Sequence, residues 1–200
     1  MPQFGLRHIY VAKYVNNAGT ISYTSPQQVG DAIQANLELR FAEGRLYAED
    51  ALAEYMRKAV GGTISLGVKY IKTAAQQLMF GMRTKSRQIT YTPAGTTATA
   101  TATAQSLVMG GKDEGVYVGI AFYAPDMVDG AKKYTCVLIK KALFGPPSMS
   151  LQTANESITF NTPTTSGEFL ADDSATGDMY EVVTLDDENA AIAWVTAVLA

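Results

Sequence analysis

His8 and Cys136 are the chain's one histidine and one cysteine, the residues best suited to acid–base or nucleophilic work. A catalytic histidine needs a nucleophile within hydrogen-bond reach and a third group that orients its ring. His8 instead sits on the strand pattern Leu6-Arg7-His8-Ile9-Tyr10-Val11, with no such pair nearby. It reads as a structural histidine whose hydrogen bonds are satisfied. Structural zinc takes four Cys or His ligands, and these two residues fall short of any such set. Cys136 has no partner for an internal disulfide, and on a strand pattern it reads as a small buried apolar residue. Phosphate loops, dinucleotide fingerprints and nucleophile elbows are absent from the sequence. The chain is therefore expected not to be an enzyme and to use no cofactor.

Two charged groups can still bind ions. Asp172, Asp173, Asp178 and Glu181 offer carboxylate oxygens of the kind calcium takes, but their spacing is not that of an EF-hand loop. A solvated acidic turn is the favoured reading. Arg83, Lys85 and Arg87 alternate along an extended stretch and can meet phosphates. No aromatic residues interleave them as single-strand binding requires. A contact to an acidic neighbouring surface, or a solvated edge, is favoured there.

Charge is divided along the chain. All 16 Lys and Arg lie within residues 1–141 beside ten Asp and Glu, a net of +6, while residues 142–200 carry nine acidic groups and no basic one. Such a division suits copies that dock head to tail, basic part against acidic part, and non-closing contacts of that kind build filaments. The N-terminus lacks a basic region followed by an apolar core. The longest apolar run, Ala190–Ala200, is interrupted only by Thr196 and is too short to span a bilayer. The expectation is a soluble chain made in a cytoplasm, with no membrane insertion.

Positioning elements follow from periodicity. Residues 32–41 alternate, with Ile33, Ala35, Leu37, Leu39 and Phe41 on one side and Gln34, Asn36, Glu38 and Arg40 on the other. Residues 63–71 repeat this, setting Ile64, Leu66, Val68 and Tyr70 against Thr63, Ser65 and Lys69. Both read as strands with one wet face. Between them, 42–62 reads as a long inter-strand connection, in which Leu52, Tyr55, Met56 and Ala59 have helical spacing and Asp50 is a possible cap. Thr73–Gly81 reads as a helix with Thr73 as N-cap and Gly81 as terminator. Further strands are expected over 6–13, 21–24, 87–91, 116–123, 134–141, 157–161, 165–170 and 179–184. The Thr/Ala tract 98–108 reads equally as strand or flexible loop. Asp186-Asp187-Glu188 ahead of Ala190–Leu199 predicts a C-terminal helix over 186–199, apolar on all sides and so buried in the core or against a neighbour.

The run Tyr134–Phe169 has an order of its own. A strand ends at Lys140-Lys141, Leu143-Phe144 lead to the breaker Gly145-Pro146-Pro147, and an Asn-Glu-Ser turn follows. Then come a short strand with Ile158 and Phe160, a break at Thr162-Pro163, and a last strand ending Gly167-Glu168-Phe169. This order resembles the C-terminal half of the major tail tube proteins of long-tailed bacteriophages, the phi13-like group. The blocks Gly5–Ala12, Ile33–Leu37, Leu46–Asp50, Thr63–Val68, Gln77–Gly81 and Tyr117–Phe122 also fall in that family's order, so the resemblance covers nearly the whole chain, apart from the Thr/Ala tract. It implies a single mainly β domain over 1–200, a β-sandwich or partly open barrel with one flanking helix and a long loop or arm. It places an extended loop at 42–62, against the local helical spacing, with Leu46, Tyr47, Ala48, Glu49 and Asp50 as inter-subunit loop candidates. It implies a virion protein, assembled in the bacterial host cytoplasm, whose hexameric rings stack into the tail tube and guide the genome during ejection. Its partners would be other copies, tape measure, terminator and baseplate proteins, and transiting double-stranded DNA. Gln34, Asn36, Glu38, Arg40, Ser65 and Lys69 would then face the lumen, a lining of mixed sign that does not grip phosphates. The alternatives are the inner tube of a contractile injection system, with the same fold, and a soluble β-barrel that binds a ligand in an aromatic-lined pocket.

Overall fold

The computed structural model describes residues 5–48, 50–148 and 162–200. The expected strand at 157–161 lies outside them. The chain is mainly β, and its strands pair antiparallel. In chain order the strands are β1 (Arg7–Asn17), β2 (Thr20–Gly30), β3 (Ala32–Ala48) and β4 (Ala51–Val68), then helix α1 (Thr73–Phe80). There follow β5 (Arg83–Tyr91), β6 (Ala100–Val108), β7 (Val118–Val128), β8 (Ala131–Phe144), β9 (Thr164–Leu170), β10 (Tyr180–Leu185) and helix α2 (Glu188–Ala197). Eight strands form one sheet in the order β2-β1-β7-β8-β9-β4-β3, with β10 also on β8, while β5 and β6 pair only with each other.

Strand β8 organises the sheet. One edge pairs with β7, and the other pairs with β10 over Tyr134–Ile139 and with β9 over Lys141–Phe144. Its side chains are apolar on both faces, so both need cover. On one face Ile139, Ala142 and Phe144 join Ile9, Val11, Val29, Leu66, Ile120 and Phe169 in a single buried cluster. Because β1, β2, β4, β7, β8 and β9 all feed that cluster, the sheet curls around it, and Ala75, Met79 and Phe80 of α1 fill the interior. On the other face Tyr134, Cys136 and Leu138 pack with Ala12, Ala121 and Tyr123 beneath Ala191, Val195 and Leu199 at the C-terminal end of the chain. The two edge strands, β2 and β3, are joined through Asp31 alone. Close packing forbids a side chain at two adjacent places on β4: a Cβ on Gly62 would run into the Phe169 ring and the Glu38 carbonyl, and one on Gly61, whose φ is 141°, into the Phe169 carbonyl.

Several expectations need correction. The described residues of 42–62 are neither loop nor helix; they continue β3 and β4 as a hairpin paired from Ala32↔Val68 to Ala48↔Ala51, with register shifts after Ala32, Arg40 and Leu46. The helical spacing of Leu52, Tyr55, Met56 and Ala59 loses because cross-strand hydrogen bonds are available along the whole length, whereas an isolated turn or two of helix nucleates poorly. Ser25-Pro26 does not end the strand: β2 runs through it with a local irregularity, Ser25 at φ 56° and the pairing to β1 shifted between Thr24 and Gln27. The segment Ala124–Lys133, which reads as a polar loop, extends β7 and β8 to a tight turn at Asp129-Gly130, both with positive φ. The N-cap of α1 is Lys72, without a side-chain cap, and Gly81 ends the helix in the left-handed region as expected. Helix α2 is capped by Asp187, which accepts from the Asn189 and Ala190 N–H groups. It buries one side only; the alanines Ala190, Ala193 and Ala197 face outward, so apolar composition does not mean burial all round.

Phe169 is fully buried against glycine-lined backbone, while Met56 on the hairpin is 75% exposed. Phe169→Ala is expected to cost about 3–5 kcal/mol by cavity formation and to lower Tm by on the order of 10 °C. Met56→Ala is expected to change monomer stability by no more than about 0.5 kcal/mol. Thermal unfolding of both variants checks the contrast.

Candidate interaction surfaces

Pairing between β4 and β9 ends at Gly62↔Phe169. Beyond it β3 and β4 continue alone as an arm, residues 41–60, reaching roughly 25 Å at about 3.3 Å per residue. A two-stranded ribbon is marginal in water unless something covers it. The arm nevertheless exposes Phe41, Leu46, Tyr47, Leu52, Tyr55, Met56 and Val60, with Leu46 at 58% and Tyr47 at 62%. The inter-subunit candidates Leu46, Tyr47 and Ala48 close β3 at the arm's tip, and Asp50 sits in its turn with φ 64°; Glu49 lies outside the described residues.

The arm's two faces differ. On one, Glu43 lies 3.5 Å from Arg45 and 3.4 Å from Arg57. Arg57 stacks over Phe41 at 3.7 Å from the ring centre and Arg45 over Tyr55 at 5.7 Å, so both guanidiniums share Glu43 and are braced on rings within the arm. On the other, Gly44↔Met56 and Leu46↔Glu54 are cross-strand pairs with no such bracing.

Nearer the body, the hairpin and β9 present a polar face. Asn36, Ser65 and Ser166 form one row across the three strands, and Glu38, Thr63 and Glu168 the next. Gln34 lies opposite Gly67, and Arg40 bonds Glu168 at 3.1 Å. The structure thus brings together five of the expected lumen residues, Gln34, Asn36, Glu38, Arg40 and Ser65. Lys69 is not among them: it lies past the end of β4, with its backbone N–H donating to the Asp31 carbonyl. Thr164, Ser166 and Glu168 join the face although sequence reasoning missed them; their alternation with buried Thr165 and Phe169 was the available signal. The opposite side of β3 is only partly covered. Ala35 and Leu39 pack on the core, but Ile33, Leu37 and Phe41 remain exposed because β3 is an edge strand with nothing beyond it. Tyr70, expected in the buried set, lies beyond β4 and is 47% exposed.

The charge division also resolves differently from expectation. Lys140 Nζ lies 2.6 Å from Asp178 and 3.6 Å from Asp172, and Lys141 Nζ grips both oxygens of Asp173 at 2.7 and 2.8 Å. Lys133 pairs with Asp186, and Arg7 meets Glu188 at 2.7 Å. With Arg40–Glu168, six of the eight described acidic residues after position 141 are paired inside the chain. These described acids therefore fold back onto basic residues of β1, β3 and β8 and leave little of their charge for a neighbour. The calcium candidate resolves the same way. Asp172 Oδ1 accepts from the Asp178 and Ser174 backbone N–H groups and the Ser174 hydroxyl, and Lys140 supplies the positive charge on its other oxygen. Among the described residues no cluster of metal-binding side chains is found.

His8 occupies a left-handed bulge in β1, φ 53°, and stacks on Tyr123 at 5.5 Å. Its Nδ1 is buried without a partner among the described residues, so the expectation of a satisfied histidine does not hold. Tyr123 in turn donates to Glu188 at 2.9 Å; burial, then that bond, push its hydroxyl up to about 12. Burial alone pushes the Cys136 thiol up to about 11, which leaves it protonated and inert at neutral pH.

Two outcomes follow. Cys136 is expected to resist a thiol-specific reagent at pH 8 in the native protein and to react once the chain is denatured. Asp173 is held below its ordinary 3.8 by Lys141 and then Tyr14, and Asp178 below 3.8 by Lys140 and then Thr176. Depressed carboxylates stabilise fully above the unfolded value and lose that contribution as pH falls through the folded one. The urea midpoint is therefore expected to fall steeply below about pH 3.8, and less steeply in Lys141→Met.

No helix of the described residues is long and apolar enough to cross a membrane. No protein-family model matches the chain, and no curated protein matches it either.

Proposed function

We propose that this chain is a structural subunit that self-assembles into rings stacked as the tail tube of a long-tailed bacteriophage. The observation that carries the reading is the arm. A ribbon about 25 Å long with seven exposed large apolar side chains is costly to leave in water, and a neighbouring copy is the natural cover. The free edges of β2 and β3 support the same reading, because unpaired edges that invite aggregation in a monomer serve assembly in a polymer. The interior of the curled sheet is filled by Phe80, Met79 and Phe169, which favours assembly over the binding of a small ligand inside a barrel.

In this reading the polar face of Gln34, Asn36, Glu38, Arg40, Ser65 and Ser166 lines the lumen. Its charges are few, of both signs, and Arg40 is already paired with Glu168. Such a lining neutralises few phosphates, so double-stranded DNA slides past it without being held. The mechanism is passive conduction of the genome from capsid to host. Six-fold rings, a tape measure protein within, terminator and baseplate proteins at the ends, and a place in the virion tail complete the proposal. The inner tube of a contractile injection system shares its geometry.

Negative-stain electron microscopy of the purified protein at rising concentration, beside its light-scattering mass, tests the reading. Rings or hollow tubes of uniform width are the expected result. A chain that stays monomeric at every concentration and also with added baseplate extract overturns it.

A further inference from the structure

The arm has a counterpart on the same molecule. Strands β5 and β6 form a second ribbon that pairs with no other strand among the described residues, and all nine residues of β5 are exposed. The ribbon, 83–108, carries Arg83, Lys85 and Arg87 and no acidic residue. The arm's tip, 46–54, carries only acidic charge, including Asp50 and Glu54. Arg83 is engaged by Asp113 at 3.1 Å. Lys85 and Arg87 make no ion pair among the described residues, and nor do Asp50 and Glu54.

Their shapes match as well. In the ribbon, Arg87, Ile89 and Tyr91 lie opposite Ala104, Ala102 and Ala100, so one face is a ridge of large side chains beside a row of alanines. On the unbraced face of the arm, Leu46 and Met56 project diagonally beside Gly44, with Glu54 opposite Leu46. Leu46 and Met56 fit over the alanine row. Glu54 then comes to the basic end of the ridge, where Lys85 and Arg87 stand two residues apart on the same face.

We propose that the tip of the arm docks through this face onto the β5–β6 ribbon of a second copy. The contact joins two different surfaces of the molecule, so it can link copies head to tail into the rings and stacks of the tube reading. Both ribbons, each marginal alone, gain their missing cover at once. The proposal deepens the tube reading by naming the surfaces that join successive copies, and it makes the charge complementarity local: arm tip against ribbon, not acidic third against basic remainder.

Charge reversal on the full chain tests it. Asp50→Lys with Glu54→Lys in one variant, and Lys85→Glu with Arg87→Glu in another, change exposed positions, and unchanged Tm verifies folding. Each variant alone is expected to sediment as assemblies at least tenfold less than the native chain at equal concentration. An equimolar mixture of the two is expected to recover most of the native level, because each arm then finds a ribbon of opposite sign. Met56→Cys in one chain and Ile89→Cys in another are expected to cross-link to each other in assemblies of the mixture, in preference to like chains. Variants that assemble as the native chain does, or a mixture that fails to recover, overturn the contact; if tubes still form, the tube reading stands without it. Recovery and cross-linking in assemblies that are not tubular uphold the contact and overturn the tube. A native chain that never assembles overturns both.

Discussion

Strand β8 is apolar on both faces, and most of the fold follows from covering it twice. A strand of this kind lies at the centre of a sheet and needs a layer on each side. The chain solves one side by curling the sheet around Ile139, Ala142 and Phe144 and plugging it with α1. It solves the other by laying α2 over Cys136 and Leu138. Among the described residues two helices of eight and ten residues supply that cover. They shield the middle of the sheet, not the arm that extends from it or the separate β5–β6 ribbon.

The change of pitch at Lys140-Lys141 matters for charge. Between Ile139 and Ala142, β8 passes from β10 to β9 as its partner, and the two lysines at the junction reach the aspartates of the connecting turn. Both lysine side chains are mostly buried, with Lys141 over the Tyr14 and Tyr117 rings, so the pairs are better shielded than ordinary surface ion pairs. The acidic C-terminal part is thereby tied to the body of the molecule. The proposed self-association rests on what remains unpaired, chiefly the apolar surface of the arm and a few charges at its tip and on the ribbon.

The polar face and the arm belong to one hairpin, which gives that hairpin two roles. Near the body β9 supports it, and its polar residues form ordered rows. Past Gly62 that support stops and the side chains become apolar. A supported polar face joined to an apolar extension that β9 does not support is what the proposed role, lining a conduit and gripping neighbouring copies, calls for.

Much of this was legible in the residues alone. Alternation over 32–41 and 63–68, the glycine after Phe80, and the acids ahead of Ala190 are local signals whose physical causes are pleat period, left-handed backbone and capping. They sufficed for the mainly β class, both helices, and five of the residues on the polar face. Three things were decided only by tertiary structure. Residues 42–62 carry a helical spacing, yet they extend a ladder already begun at Ala32↔Val68, and propagating a ladder is favoured over nucleating a helix. The charge division along the chain looked like a bipolar surface, yet folding brings Lys140 and Lys141 to Asp172, Asp173 and Asp178, and sequence distance says nothing of which charges meet. Which side chains share a face of the arm and of the β5–β6 ribbon, on which the proposed contact rests, is a property of pairing and not of either strand read alone.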